Sequence, residues 1–325
     1  MADDCKLARI ADLNVQLSRG KIFVPVSIEG ASRLMALDTG APLSAVDPQA
    51  AADLKLVTHR IYQGVLFDVT GKQFTEMAVV HTLGIGDMRT QNAHLLVWPS
   101  RMSDDPQMGG TLAADLLRHY DVDLDFANRK VGLFSQDHCL GKVVYWQAQA
   151  VAVIPMRVVS SGHIIVPVML DGRQFDAVLD TGSYNTYLSL EAAQRVYGLT
   201  PDSPELQRIK GADGPNSIPV YRHMFNTLTL EGISIANPPV YIWHDVTKYS
   251  LASQSPAGGS RFRDADESGG MTDMILGLHE LRNLHVYIAY EEQKIYVTPS
   301  GADPAAAGNS GSPSETQTDL PNTPH

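Results

Sequence analysis

No stretch of this chain approaches the roughly 20 apolar residues that carry a helix across a bilayer, and no cluster of lysine and arginine offsets its acid. The formal net charge is -11 and the sequence pI about 5.4. That balance sets nucleic acid and anionic membrane aside as expected partners. Cysteine is nearly missing: Cys5 and Cys139 are the only two among 325 residues. A lone pair fits one disulfide stapling the N-terminus to the middle of the chain, or two ordinary thiols. The opening MADDCKL carries no signal peptide, as in a cytosolic chain or one whose signal has been removed. No nucleophile motif, and no Glu/Asp pair outside an internal repeat, points to a lipid or sugar hydrolase.

What the chain does have is 44% apolar residues, enough for a large core or two ordinary domains, and a duplication. GKIFVPVSIEG begins at Gly20 and GHIIVPVMLDG at Gly162, while Asp38 answers Asp180, both 142 residues apart. Further on, LGIGDM answers LTLEGI and Trp98 answers Trp243, now 145 apart; YDVDLDFANRKVGLF from Tyr120 answers LHVYIAYEEQKIYVT from Leu284, 164 apart. The halves are therefore 1–149 and 150–300. The growing offset places a small insertion after the second aspartate segment and a larger one near 245–270, which reads as an exposed loop rich in Ser, Gly and charge. The final 301–325 has almost no apolar residue larger than Ala and reads as a disordered tail.

Local patterns favour strands. KIFVPVSI, RLMALD, EMAVVHTLGI, AHLLVW, DVDLDF and KVGLF are short, β-branched or alternating, and bounded by Gly, Asp, Asn and Pro. One short helix is expected after each aspartate segment, at 47–56 with Asp47 as cap and Pro48 in the first position, and at 189–199. Another is expected at LAADLLRHY and its partner LGLHELRNL. The predicted class is mostly β, in two similar lobes.

The aspartates stand in matched settings, LMALDTGAPLS and AVLDTGSYNTYLS, each at the end of an apolar run where a lone carboxylate is costly to desolvate. A duplicated fold generally packs its halves about an approximate two-fold axis, which would bring Asp38 opposite Asp180. Two such carboxylates share one proton and titrate as a pair. The ionised member can take a proton from an attacking water while the protonated member hydrogen-bonds the developing oxyanion; no covalent intermediate, cofactor or metal ion is needed. Gly40 and Gly182 let the turn double back and keep amides close to the carboxylates. Thr39 and Thr181 can lock the two loops by hydrogen bonds across the axis. The fourth positions differ, Ala41 against Ser183. A Ser183 hydroxyl donating to Asp180 would favour its charged form, which predicts Asp180 as the readier base.

These residues resemble the aspartic proteases of the retropepsin type, in a duplicated single-chain bacterial form. That family's pattern is an apolar run, Asp-Thr-Gly-Ala/Ser, a flap hairpin, then two apolar residues and a Gly before a short helix. The last motif is intact in MILGLHEL, with Ile275, Leu276 and Gly277, whereas the first half reads GTLAADLL, with Ala113 in place of the Gly. The resemblance implies two β lobes about a pseudo-two-fold axis with a cleft between them, and an aspartic endopeptidase acting on an extended polypeptide. It implies flaps at 64–74 and 210–219, and an active monomer that is its own pseudo-dimer. Members of the bacterial group are commonly exported, which favours a periplasmic or secreted location and a Cys5–Cys139 disulfide. The reading from a different class is a non-catalytic peptide-binding or scaffold protein of the same fold.

Other motifs take ordinary readings. DVDLDF (121–126) lacks the Gly of a calcium loop and alternates with apolar residues, so it is expected to be a strand with an acidic outer face. HELRNLH (279–285) has its second His six residues after the first, the wrong spacing for a helical zinc site. Trp98 and Trp243 are expected in the core or at the lobe interface. GGSRFRD (258–264) is read as solvated charge.

Overall fold

The computed structural model describes residues 6–18, 20–61, 66–67, 72–148, 150–210, 219–243 and 272–300. It is mostly β, built as two lobes and one sheet that both lobes share. In the first lobe Lys21–Ile28 pairs with Ala31–Asp38, which runs parallel to Met108–Ala113. Ala45–Val46, Met88–Val97 and Glu76–Ile85 follow in turn, and Glu76–Ile85 pairs back onto Lys21–Ile28. The ring closes, so Ile22, Val24, Val26 and Ile28 point into one apolar core while Phe23 faces a smaller cluster on the other side.

The second lobe repeats this order through Ile164–Leu170, Arg173–Leu179, Met274–Leu276, Thr186–Ser189, Pro239–Trp243 and Tyr221–Met224. Its return to Ile164–Leu170 is made by a separate hairpin, Thr227–Leu230 with Ile233–Ala236. The difference has a local cause. Asn92 and Asn237 occupy equivalent places and both have positive φ, 53° and 51°. Met88–Val97 runs on past Asn92 without losing register. After Asn237 come Pro238 and Pro239, which cannot donate to a ladder, and the strand is split there.

The shared sheet has six strands in the order Arg9–Asn14, Lys130–Phe134, Asp121–Asp125, Leu284–Ala289, Lys294–Pro299, Ala152–Pro155. Three come from each half. At its centre Asp123 lies opposite Tyr287, and these two are equivalent residues of the repeat, so the pseudo-two-fold axis passes between them.

Asp121–Asp125 is a strand, but its expected acidic outer face is not solvated. Asp121 and Asp123 are 0% and 2% exposed, because the segment that links the lobes crosses over them and supplies partners. His138 Nε2 donates to Asp121 Oδ2 at 2.6 Å, Tyr287 Oη donates to the same oxygen at 3.2 Å, and Tyr290 N donates to Asp121 Oδ1 at 3.0 Å. Asp123 takes His285 Nε2 at 2.7 Å and the Tyr145 hydroxyl. Trp146 stacks on the His285 ring at 4.0 Å.

The helices are short, and the two longer ones are capped by side chains. Pro48–Asp53 begins at Asp47, whose side chain accepts from Gln49 N. Leu190–Tyr197 begins at Ser189 and ends on Gly198 in the left-handed conformation, φ 71°, where a residue without Cβ is favoured. Ala114–Leu117 and Leu278–Leu281 are single turns. Of the first expected flap, Leu66–Phe67 pairs with Gln73–Phe74; 64–65 and 68–71 lie outside the described residues. So do most of the second flap (211–218), the 245–270 insertion with its two arginines, and the tail. Among the described residues no helix is long and apolar enough to cross a membrane.

Candidate active site

Each aspartate is delivered by a buried strand. Leu37 and Leu179, one residue before the aspartates, are 1% and 2% exposed; burying each contributes about 1.5–3 kcal/mol and anchors the loop that follows. Ala113 lies beside Asp38 in a parallel pair, and Asp180 N donates to Leu276 O at 3.0 Å. The loops then meet across the axis. Thr39 Oγ1 donates to Leu179 O at 2.7 Å and Thr181 Oγ1 to Leu37 O at 2.8 Å. Reciprocally, Thr39 N donates to Thr181 Oγ1 and Thr181 N to Thr39 Oγ1, both at 3.1 Å. Four buried hydrogen bonds therefore hold the two halves in one fixed register.

The glycines set the spacing. A β-carbon at Gly40 would stand 2.2 Å from Asp180 Cγ, and one at Gly182 would stand 2.2 Å from Asp38 Cγ. Neither site tolerates that approach, so each turn lies flat against the carboxyl of the other lobe. Gly40 N donates to Asp38 Oδ1 at 3.0 Å; Gly182 N and Ser183 N donate to Asp180 Oδ1 at 2.8 and 3.1 Å. The two carboxyls act on one another across the axis.

Both carboxyls remain partly accessible at the meeting of the lobes, yet protein encloses them on enough sides to raise their affinity for a proton. For Asp38 burial acts first, opposed by the Lys21 charge and the loop amides. For Asp180 burial and then the Asp38 charge push it up to about 7, against the Gly182 and Ser183 amides and Lys21. The shift belongs to the pair, which keeps one proton shared towards neutral pH. The Ser183 hydroxyl takes no part: it donates to Asn185 O at 2.9 Å. The sequence-based reason for making Asp180 the readier base therefore fails; what Asp180 has beyond Asp38 is the Ser183 amide.

The aspartyl protease family model matches residues 24–115 and again 166–280, once over each half. The chain belongs to the aspartyl protease family. No curated protein matches it. Within this aspartyl protease the Ala113 departure is absorbed. Gly277 N donates to Thr186 Oγ1 and Ala113 N to Ser44 Oγ, 3.1 and 2.9 Å, so the same bond is kept in both lobes. A β-carbon at Gly277 would meet Asn185 O at 2.2 Å, whereas that of Ala113 is fully buried without displacing its bond.

Trp98 packs on Phe74 of the first hairpin and donates to Thr111 Oγ1 at 3.2 Å; Trp243 packs on Tyr187. Sequence reasoning missed Lys21, which acts on both carboxyls, and His163, whose Nε2 donates to Gly40 O at 2.8 Å. A signal was present: they follow Gly20 and Gly162, the first residues of the repeat.

Proposed function

We propose that this aspartyl protease is an endopeptidase in which Asp38 and Asp180 act as one acid–base pair on an extended polypeptide. The observation that carries the reading is the reciprocal packing of Gly40 on Asp180 and Gly182 on Asp38, which sets two enclosed carboxyls side by side across the axis. With one proton between them, the ionised member takes a proton from the attacking water. The protonated member donates to the carbonyl oxygen as it gains charge, and the roles reverse when the amine departs. The amides on Asp38 Oδ1 and Asp180 Oδ1 favour charge on those oxygens, leaving the shared proton to the other two.

The reading carries with it a monomeric enzyme, since one chain supplies both aspartates, and an exported location with a Cys5–Cys139 disulfide. Cys139 is not a free thiol, which supports the pairing; Cys5 lies outside the described residues.

Incubation with denatured protein and a quenched peptide pool, from acid to neutral pH, tests the activity. Asp38→Asn or Asp180→Asn is expected to lower kcat by about 10²–10⁴-fold, the usual worth of general acid–base catalysis. Cleavage unchanged in both variants would sink the assignment. Peptide binding without cleavage by any form would put the non-catalytic binding module in its place.

A further inference from the structure

The residues that open the two repeats reach across to the opposite lobe. Gly20 and Gly162 both have positive φ, 70° and 90°, and both lie flat on the other half: a β-carbon at Gly20 would meet the Tyr184 ring at 2.8 Å, and one at Gly162 would meet Ala114 Cβ at 2.9 Å. His163, after Gly162, is thereby delivered to the loop that carries Asp38, and the charge of Lys21, after Gly20, acts on both carboxyls. Both stand ahead of the two stretches that the family model matches, 24–115 and 166–280. They are an unlike pair at equivalent positions. One is a fixed cation, the other an imidazole.

His163 is held at both ring nitrogens. Ser161 Oγ lies 2.9 Å from Nδ1, and Nε2 donates to Gly40 O at 2.8 Å. That carbonyl belongs to Gly40, whose own amide donates to Asp38 Oδ1 at 3.0 Å and whose Cα lies against the Asp180 carboxyl. A donor on the carbonyl fixes the turn at Gly40 and so the direction in which its amide meets the Asp38 carboxyl. His163 therefore acts on Asp38 through one residue, Gly40. The contact survives protonation, because a hydroxyl can donate to a neutral Nδ1 or accept from a protonated one.

We propose that His163 is a positioning residue of the acid–base pair, holding the Asp38 loop through the Gly40 carbonyl so that the Gly40 amide stays on the Asp38 carboxyl, with Lys21 as its fixed-charge counterpart in the other lobe. This rests on the reading of Asp38 and Asp180 as a working dyad. The charged groups beside this contact are Asp38 and Asp180, which flank Gly40, and Asp115 on the Ala114–Leu117 helix against which Gly162 packs. Asp115 Oδ1 is taken up by Ser44 N and Oγ. Arg157, on the neighbouring strand, bonds Asp176 at 3.2 Å.

The test compares wild type with His163→Ala, which removes the donor, and His163→Gln, which keeps a donor that cannot titrate. Two readouts are taken on folded protein: the carboxyl ¹³C titration of labelled aspartate, and the pH profiles of kcat and KM on a cleaved peptide. In H163A the upper ionisation of the dyad is expected to rise by about one pH unit, with kcat down about 10-fold and KM little changed. In H163Q kcat returns towards wild type. Carboxyl titrations identical in all three proteins would overturn the proposal. Should H163A not fold, His163→Phe, which keeps a ring but cannot donate, takes its place, and a carboxyl titration and pH profile indistinguishable from wild type in that variant overturn the proposal equally. A shifted titration in a protein that cleaves nothing would uphold this coupling and remove the peptidase reading instead.

Discussion

A carboxyl group placed against a backbone with no side chain is the smallest unit on which this site depends. Gly40 and Gly182 are needed for closeness, because a methyl 2.2 Å from the opposite carboxyl carbon would push the two aspartates apart. Gly40→Ala is expected to cost about 1–3 kcal/mol of stability through overpacking. It should cost about 10²-fold or more in kcat/KM, since a displacement near 1 Å is enough for that. Denaturant unfolding and peptide kinetics on the same preparation check both, and near-normal turnover would mean the spacing is not critical. The identities of these residues could be read from the chain, because Asp-Thr-Gly behind an apolar strand occurs twice in one register. The direction of the Ser183 hydroxyl could not. A serine has acceptors on several sides, and which one it meets depends on where Asn185 O turns.

Among elements, the strand Asp121–Asp125 and the linker laid across it show where pattern reading fails. Alternating acid and apolar residues look the same whether the acidic face meets water or a later stretch of chain bearing hydrogen-bond donors. His138 has acceptors at both ring nitrogens, Asp121 Oδ2 at 2.6 Å and Cys139 O at 3.2 Å, and satisfies both only as an imidazolium. Burial works against that charge, but the Asp121 bond, the Cys139 carbonyl and the charges of Asp121 and Glu292 outweigh it, so its pKa lies above the ordinary 6.5. Asp121, pushed above 3.8 by burial in spite of His138, moves in the same sense. Both groups bind protons more tightly folded than unfolded, so their contribution to stability falls with rising pH, from 3.8 upward for Asp121 and above 6.5 for His138. His138→Ala is expected to remove the upper part of that slope and to cost about 3 kcal/mol at mildly acid pH by leaving a buried carboxylate without its partner. Thermal or urea unfolding across the neutral range measures it; a slope unchanged by the substitution would count against the account. Peptide mapping without reduction of the same chain is expected to find Cys139 joined to Cys5.

Over the whole molecule, the duplication made the two-lobed plan legible from offsets alone. Mostly β content followed from short β-branched runs. What the offsets could not convey is how far the lobes diverge. Two prolines after Asn237 break in one lobe a strand that the other keeps whole, and Lys21 faces His163 across positions that share a backbone but not a chemistry. Flap and insertion sequences are rich in turn formers, which specify local bends without fixing where the segment lies.

The shared six-stranded sheet has a consequence for assembly. Each half brings three complete strands to it and borrows none, so the peptide bonds near 149 add effective concentration rather than instruction. Residues 1–149 and 150–325, produced as separate polypeptides, are expected to associate one to one and recover cleavage that neither has alone, as co-purification and a peptide assay would reveal; failure of the mixed fragments to combine would refute this. Self-pairing is discouraged at the axis itself. Two copies of the first fragment would set Asp123 against Asp123, whereas the natural partner offers Tyr287 opposite it and His285 as donor. A single acidic side chain thus biases the fragments towards the unlike companion.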